Sequence, residues 1–411
     1  MNKSFSALKL AEEQVTELDS QLLKRKLRMT ASPCDVEATV DNRQLKNFCS
    51  NDYLGLANHP DLIDALAKGA SKYGVGSGAS HLISGHSIAH DLLEKKLATF
   101  QSQHIAQARA LFFSTGYLAN LTAVTGLARL APHSNASIYS AKLNHASLID
   151  GVHLASAQTK ANVFLFDHTN LETLTEQLKK DRRPLKLIVT DGVFSMDGDI
   201  APVQPLLNIA SEHDAILLID DAHGFGVLGK QGHGILEQEQ IYSDRIVYIG
   251  TLGKAAGVSG AFICAHESLI EWLVQKGRPY IYSTATPPAI AHALLKSLEI
   301  IEGDEGNKRR THLYRLIKIW QEEMVFDTWV KTSSCTPIQP IVLGSNANAL
   351  EAAKQLDEVG YWIPAIRPPT VPVGSARLRI TFSANHSVDD LQKLISTLKV
   401  IERNVSGKIS S

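Results

Sequence analysis

The sequence has few cysteines, almost no net charge and no long apolar run. Its 411 residues contain 41 Lys and Arg against 42 Asp and Glu, a net charge of -1, so no general field attracts nucleic acid or an acidic membrane. The apolar runs are strand-sized, well short of the roughly 20 residues that cross a bilayer. The start of the chain has no A-x-A cleavage pattern. The four cysteines form no C-x-x-C pair, which argues against a disulfide framework or a zinc knuckle: Cys34, Cys49, Cys264 and Cys335. We therefore expect a cytoplasmic protein.

Seven short apolar runs alternate with amphipathic, helix-like segments between residues 108 and 265. Near-continuous apolar strands of this kind predict an α/β domain whose mainly parallel sheet is covered by helices on both faces. The runs are Ala110–Phe113, Ser137–Ser140, Asn162–Phe166, Leu185–Thr190, Ala215–Ile219, Ile246–Gly250 and Gly260–Cys264.

Three regions follow from this pattern. Residues 1–55 form an N-terminal segment with a helical arm, predicted from the spacing of Leu18, Leu22, Leu23 and Leu27. Residues 56–288 form the large α/β domain, and residues 289–411 form a smaller C-terminal α+β domain.

Two motifs resemble known sites but lack the context that those sites need. Gly224–Gly229 is a formal G-x-G-x-x-G after a strand, yet the following residues are too rich in glycine to open a helix. His86 and His90 have the spacing of a helical metal pair, but they lack the glutamate of such motifs and an obvious third ligand. We interpret the two histidines as structural, and we predict no metal site.

Acid, amine and hydroxyl groups follow several of the predicted strands. Asp220 follows the run Ala215–Ile219, and Lys254 follows Ile246–Gly250 between glycines. Ser114 and Thr115 open the helix after Ala110–Phe113, where free amides favour an anion. Each of these residues has an ordinary structural interpretation when it is considered alone: an ion pair, a surface lysine, a helix cap.

Considered together, these groups favour pyridoxal phosphate. Lys254 could form a Schiff base, Asp220 could keep a pyridine nitrogen protonated, and the helix start could hold a phosphate. Flat imidazoles and a hydroxyl at neighbouring strand ends could contact the ring: His145, His223 and Ser195.

The motifs resemble those of the α-oxoamine synthases, a family of fold type I pyridoxal-phosphate enzymes, nearly from end to end. The matching segments, in family order, are Ser50–Leu56, Gly74–Gly78, Asn144–Ser147, Asp191–Gly198, Asp220–Gly224, Thr251–Lys254, Ala365–Pro372 and Ala376–Thr381. The resemblance implies a homodimeric acyltransferase that condenses L-alanine with a pimeloyl thioester, with release of carbon dioxide, in biotin synthesis. It leaves coenzyme A and acyl carrier protein open as the thiol carrier.

The resemblance also implies a role for each matched residue. Lys254 would hold the cofactor, Asp220 would pair with its pyridine nitrogen and His145 would stack on its ring. Ser195 and His223 would bind the ring oxygen, while Gly116, Tyr117 and Thr251 would anchor the phosphate. Tyr117 stands where phenylalanine is usual and could add a hydrogen bond there. Substrate contacts would come from Arg28, Asn51, His145, Thr370 and Arg379, and Ser283 and Thr284 are candidates for the site of the other subunit.

Two alternatives to this function stay open. The nearer one is a sister synthase that uses glycine, as 5-aminolevulinate synthase and 2-amino-3-ketobutyrate ligase do. The more distant one is a nicotinamide-dependent oxidoreductase that would use Gly224–Gly229.

Overall fold

The computed structural model of the chain describes residues 6–132 and 134–407. It divides into two compact units. The central unit comprises Asn51–Ser195 and Asp199–His312, and the terminal unit comprises Met1–Ser50, Met196–Gly198 and Leu313–Ser411. The three-region division of the sequence stays a prediction, and the first five residues of its N-terminal segment lie outside the described residues.

The strands are β1 (Glu37–Val40), β2 (Arg43–Asn47), β3 (Ala108–Phe113), β4 (Ala136–Ala141), β5 (Asn162–Phe166), β6 (Leu185–Asp191), β7 (Ile216–Asp220), β8 (Ile246–Thr251), β9 (Ala261–His266), β10 (Val330–Lys331), β11 (Ile338–Gly344), β12 (Tyr361–Trp362), β13 (Ala365–Ile366) and β14 (Ala376–Thr381). Each of the seven apolar runs noted in the sequence coincides with one strand from β3 to β9 within about two residues at either end.

The helices are α1 (Ser6–Ser20), α2 (Pro60–Tyr73), α3 (Ile88–Gln101), α4 (Gly116–Leu127), α5 (Ala146–Thr159), α6 (Glu172–Lys180), α7 (Val203–Glu212), α8 (Ile235–Gln238), α9 (Glu267–Lys276), α10 (Arg278–Tyr282), α11 (Pro288–Glu302), α12 (Asp304–Glu323), α13 (Asn346–Glu358) and α14 (Val388–Gly407). A π-helical turn, His81–Gly85, precedes α3, and a 3-10 turn, Ala128–Leu130, follows α4. None of the described helices combines the length and the apolar character that a membrane span needs.

A seven-stranded sheet forms the centre of the central unit, in the order β3-β9-β8-β7-β6-β4-β5. Only β9 runs antiparallel to its neighbours, β3 and β8, and the other pairs are parallel. The prediction of an α/β domain with a mainly parallel sheet is therefore confirmed. Because parallel strands share one carboxyl edge, the residues that follow β4, β6, β7 and β8 come together there.

Burial on both faces explains the apolar character of these strands. All six residues of β4 are buried, and the apolar residues of β7 and β8 contribute to a continuous core. Burial of each large apolar side chain contributes roughly 1.5–3 kcal/mol, so the sheet is a main source of stability. Local signals then set the helix starts. Thr115, for example, caps α4 by accepting a hydrogen bond from the backbone N–H of Leu118.

The terminal unit contains two smaller sheets. Strands β10, β11, β14 and β13 form one antiparallel sheet, and β1, β2 and β12 form the other. The arm helix α1 lies earlier than the leucine spacing predicts. It ends at Ser20, and Leu22 has a left-handed backbone (φ 57°), so Leu22, Leu23 and Leu27 lie beyond the helix. A left-handed residue costs roughly 1–2 kcal/mol in a helix and ends it here.

The glycine-rich segment after β7 opens no helix, as the sequence predicts. Residues 221–234 form turns instead. A Cβ at Gly224 would lie 2.0 Å from Asp221 Oδ1, so this glycine is needed because a buried carboxylate packs against the backbone. The segment therefore lacks the helix start that a dinucleotide site requires.

Candidate active site

A cavity of about 190 Å³ lies at the carboxyl edge of the central sheet. It contains all eight residues that the sequence assigns to the cofactor. The lining residues are Gly116, Tyr117, Asn120, His145, Ser147, Asp191, Ser195, Asp220, Ala222, His223, Thr251 and Lys254. Because they come from several separate chain segments, only the parallel sheet brings them together.

Asp220 is the last residue of β7 and is 5% exposed. Its Oδ1 accepts a hydrogen bond from the backbone N–H of Ala222 (3.0 Å), and its Oδ2 accepts one from Asn120 Nδ2 (2.6 Å). Both donors are uncharged. A protonated ring nitrogen in the cavity would supply the positive charge that a buried carboxylate favours.

A second polar chain begins at Lys254, in the turn after β8. Lys254 Nζ lies 2.9 Å from His223 Nε2, and His223 Nδ1 lies 2.6 Å from the Tyr53 hydroxyl. That hydroxyl donates to Asn51 Oδ1 (3.1 Å), so it accepts from His223, whose proton is on Nδ1. His223 Nε2 is then the acceptor for the Lys254 amine. The histidine therefore holds the amine in the cavity and can receive a proton from it.

His145 caps α5 and connects to Asp220 through two neutral side chains. Its Nδ1 accepts from the Ser147 N–H (3.3 Å) and from Ser147 Oγ (2.7 Å), which puts the imidazole proton on Nε2. Ser147 Oγ in turn accepts from Asn120 Nδ2 (2.8 Å), the same amide that binds Asp220. Burial lowers the pKa of His145 and outweighs the opposing effect of the Asp220 carboxylate, which favours the neutral ring. One amide therefore positions both the carboxylate and the imidazole.

Asp191, at the end of β6, is buried behind this group. Its Oδ2 accepts from the backbone N–H of His145 (2.8 Å), and its own N–H donates to Asn144 Oδ1 (2.9 Å). Burial raises the pKa of Asp191 well above its ordinary value, and the nearby carboxylate of Asp220 raises it further. Asp191 thus fixes the start of α5, and with it the position of the imidazole.

The start of α4 forms the other end of the cavity. The first backbone N–H groups of a helix have no intrahelical acceptor and attract anions. A Cβ at Gly116 would lie 2.9 Å from Thr251 Oγ1, so only glycine leaves this hydroxyl and the helix start open to a ligand. Ser195 begins a turn after β6 and also lines the cavity. These residues fit the chemistry of pyridoxal phosphate: a helix start that attracts an anion, a buried carboxylate and a lysine amine.

We expected the Tyr117 hydroxyl to add a hydrogen bond near the phosphate, but it bonds to a different part of the protein. Its hydroxyl donates to the carboxylate of Asp150, and this hydrogen bond raises the pKa of the tyrosine. The side chain is 42% exposed. The structure therefore assigns the added hydroxyl to a contact with α5.

Four of the predicted site residues are assigned to the substrate only because they match motifs of the family. Asn51 belongs to the central unit and contacts Tyr53, whereas Arg28, Thr370 and Arg379 belong to the terminal unit. The Arg28 guanidinium forms ion pairs with Asp41 (2.7 Å) and Asp357 (2.6 Å).

The other two of these residues lie near the C-terminal strands. Arg379 is on β14 and is 6% exposed, and Thr370 lines a separate cavity of about 260 Å³ with Arg367 and Arg25. Ser283 and Thr284 lie after α10, where Thr284 pairs with Ser80 in a single β-bridge.

Several residues of the site were not predicted from the sequence. Asn120, Ser147, Asp191 and Tyr53 were not assigned roles, although three of them lie inside motifs that were recognised. Asn120 carries no such signal. It is a polar residue one turn into α4, and its function depends on the distance to strand β7, which spacing along the chain does not reveal.

The chain is similar to proteins of one known family over most of its length. Residues 43–398 match the family model "Aminotransferase class I and II". The chain belongs to the class I and II aminotransferase family. An 8-amino-7-oxononanoate synthase from Janthinobacterium sp. (strain Marseille) is 52% identical over 403 residues, which is 98% of this chain and 100% of the relative.

Two solved structures show the same fold. A structure of SPT with a PLP internal aldimine superposes with a TM-score of 0.87 at 26% identity, covering 97% of this chain and 98% of the other. The 8-amino-7-oxononanoate synthase of Francisella tularensis gives a TM-score of 0.73 at 30% identity, covering 89% and 99%. The prediction of fold type I is confirmed.

Proposed function

We propose that this protein is an 8-amino-7-oxononanoate synthase that condenses L-alanine with a pimeloyl thioester and releases carbon dioxide and the thiol carrier. The observation that supports the choice of substrates is the 52% identity to such a synthase over nearly the whole chain. The fold alone does not distinguish the substrates, because an SPT structure superposes at least as well as the Francisella synthase.

The cofactor is pyridoxal phosphate, which supplies an electron sink for the negative charge that develops on the substrate carbon. We assign the covalent attachment to Lys254, the pyridine nitrogen to Asp220 and the ring face to His145. Ser195 and His223 would hold the ring oxygen. Gly116, Tyr117 and Thr251 would hold the phosphate at the start of α4, where Tyr117 could contribute its backbone N–H.

Lys254 also acts as the base in this proposal. Its amine must lose a proton before it can remove the α-proton of the amino acid, and His223 Nε2 at 2.9 Å is the acceptor in place. The Asp220 carboxylate, positioned by Asn120, would stabilise positive charge on the ring nitrogen. In this proposal all the groups assigned to the proton transfer belong to the central unit.

We assign the substrate carboxylates and the acyl chain to Arg28, Asn51, Thr370, Arg379 and His145. Arg379 is suited to a carboxylate because a guanidinium can make two parallel hydrogen bonds to it. Arg28 already pairs with Asp41 and Asp357, so a substrate contact there requires it to share or exchange these partners.

We further propose a cytoplasmic homodimer with Ser283 and Thr284 near the site of the other subunit. Both coenzyme A and acyl carrier protein are candidate carriers of the pimeloyl group. Sedimentation of the purified protein would test the dimer, and a monomer at micromolar concentration would contradict it.

Product formation with a matrix of substrates tests the proposed reaction. The protein loaded with pyridoxal phosphate is mixed with L-alanine, glycine or L-serine, each with pimeloyl-CoA or palmitoyl-CoA. Thiol release gives the rate, and mass spectrometry identifies the product. We expect the alanine–pimeloyl pair to be the fastest by at least about tenfold, the discrimination that one methyl group supplies.

Two outcomes would change the assignment. A preference for glycine would indicate a sister synthase, and a protein that binds NAD and remains colourless with pyridoxal phosphate would overturn the cofactor assignment. Lys254→Ala is the matched control, because it should lose steady-state turnover while it keeps its fold.

A further inference from the structure

Three histidines of the central unit meet at the start of α3. One ring nitrogen from each of His81, His86 and His90 lies within 4.8 Å of the other two. The π-helical turn His81–Gly85 brings His81 back beside the other two rings, where it stacks on Tyr280 (ring centroids 4.8 Å apart). The sequence shows only the pair His86 and His90, because the regular helical spacing does not include His81. We call these three residues the histidine cluster.

We propose that the histidine cluster binds one divalent transition-metal ion of the zinc type. This proposal does not depend on the proposed enzymatic function. Three neutral imidazoles with an open fourth position are a common zinc ligand set, and nitrogen ligands favour zinc, cobalt, nickel or copper over magnesium and calcium.

Two of the ligand atoms already face each other. His81 Nδ1 and His86 Nδ1 are 2.9 Å apart, so one proton is shared between them. Nitrogens bound to a tetrahedral zinc at 2.0–2.1 Å lie roughly 3.3 Å apart, so the rings need to separate by only a few tenths of an ångström. One of the two rings carries its proton on Nδ1. On metal binding this ring changes tautomer through solvent, so that its proton is on Nε2. Both Nδ1 lone pairs become available, and no proton is lost overall.

The third ring is oriented by the backbone. His90 Nε2 lies 2.7 Å from the carbonyl oxygen of Thr286, which can only accept, so the proton is on Nε2 and the lone pair on Nδ1. That lone pair now accepts from the Ser87 N–H (3.0 Å) and from the Ser87 hydroxyl (3.1 Å), and metal binding exchanges these two hydrogen bonds for a metal bond. Metal-binding histidines commonly donate their other N–H to such a carbonyl.

The buried carboxyl group of Glu94 lies behind a second ring. Glu94 Oε2 is 4.0 Å from His86 Nε2, and Glu94 Oε1 accepts from the Phe112 N–H (2.9 Å), which fixes the side chain. Burial raises the pKa of Glu94 to about 8, so this group is a carboxylic acid at neutral pH. When His86 binds a metal through Nδ1, its Nε2–H faces this carboxyl group, whereas the outer N–H of His90 already has an acceptor in the Thr286 carbonyl.

The protonation and exposure of the cluster also suit a metal ion. Burial and the neighbouring imidazoles lower the pKa of His81 to about 3, and burial lowers the pKa of His86 and of His90. All three rings are therefore neutral at physiological pH, the form that binds metals. His86 is exposed, which gives an ion and its remaining water access from solvent.

Metal titration of the untagged protein, loaded with pyridoxal phosphate and treated with chelator, tests the proposal. Equilibrium dialysis with elemental analysis should show one Zn²⁺ per chain. Co²⁺ in place of Zn²⁺ should give the absorption bands of a tetrahedral nitrogen site, and Mg²⁺ should not compete. Zn²⁺ should also raise the thermal midpoint, because a ligand that binds only the folded chain stabilises it.

Variants locate the ion. His81→Gln and His86→Gln should each lose the Zn²⁺-dependent rise in the thermal midpoint and the cobalt bands, while His153→Gln, at an exposed histidine on α5, should keep both. Circular dichroism without metal shows whether each variant is folded. If His81→Gln does not fold, His86→Gln tests the proposal alone, because His86 is more exposed. No binding by the parent protein, or binding unchanged in His86→Gln, would overturn the proposal.

Discussion

Asp220 and Asp221 are neighbours in the chain with the same side chain, yet they have different environments. Asp220 faces the cavity and accepts from Ala222 and Asn120. Asp221 is fully buried on the other side of the strand end, where its Oδ2 accepts from the Ile235 N–H (2.7 Å) and the Tyr248 hydroxyl (2.8 Å). The alternation of side chains along a strand separates them, and their partners then decide which one contacts a ligand.

The largest expected effect follows from Asp220→Asn. The amide keeps the size of the side chain but removes the charge that stabilises a protonated ring nitrogen, so we expect the rate to fall by about 10²–10⁴-fold with little change in thermal midpoint. The rate of thiol release and the absorption spectrum of the bound cofactor measure this. Activity within about threefold of the parent would contradict the role of Asp220.

Asp221→Ala should affect stability instead of chemistry. It leaves the Tyr248 hydroxyl and the Ile235 N–H buried without their acceptor, which costs about 2–4 kcal/mol in the free energy of unfolding. Urea unfolding measures the loss, and the activity of the folded fraction should remain near that of the parent. A stable variant with little activity would instead place Asp221 in the catalytic machinery.

The pH dependence of stability sharpens the same comparison. Burial raises the pKa of Asp221 from 3.8 to about 7. Because the pKa of Asp221 is higher in the folded chain than in the unfolded chain, protonation of this side chain stabilises the fold. The contribution is complete below about pH 4 and is lost as the pH rises through 7. Asp221→Asn removes it. The deficit of this variant relative to the parent should therefore be about 2–3 kcal/mol larger at pH 5 than at pH 7. Urea unfolding at both values tests this, and a constant difference would contradict the pKa.

The smallest expected effect concerns the amide that positions Asp220. Asn120→Ala removes the hydrogen bonds to Asp220 and to Ser147, and we expect a rate loss of about tenfold with weaker cofactor binding. Ser147→Ala interrupts only the branch to His145 and is the matched comparison. If both variants change the pH profile and cofactor spectrum equally, the effect arises at His145; if only Asn120→Ala does, it arises at Asp220.

Much of the fold was predictable from the apolar pattern. Runs such as Asn162–Phe166 coincide with strands because both faces of a parallel strand are buried, which leaves a clear signal. The predicted position of the arm helix was wrong because it relied on the spacing of its leucines. No residue of α1 is buried, so this spacing does not mark a packed face of a helix. Exposed apolar residues carry little positional information.

The candidate site was predictable where motifs carry chemistry. Lys254, Asp220 and His145 follow strands in a recognisable order, and the sheet brings them to one cavity. Asn120 was missed because its role depends on a distance across the fold, and the histidine cluster was missed because a π-helical turn changes the spacing.

The sequence by itself determined the strand pattern and the residue types of the cavity, since these depend on local burial and on side-chain chemistry. Only the tertiary structure decided the hydrogen-bond partners of Asp220 and Asp221, which amide links Asp220 to His145, and which third histidine completes the cluster. The physical reason is that hydrogen bonds and metal ligands act over about 3 Å in space, whatever the separation of the residues along the chain.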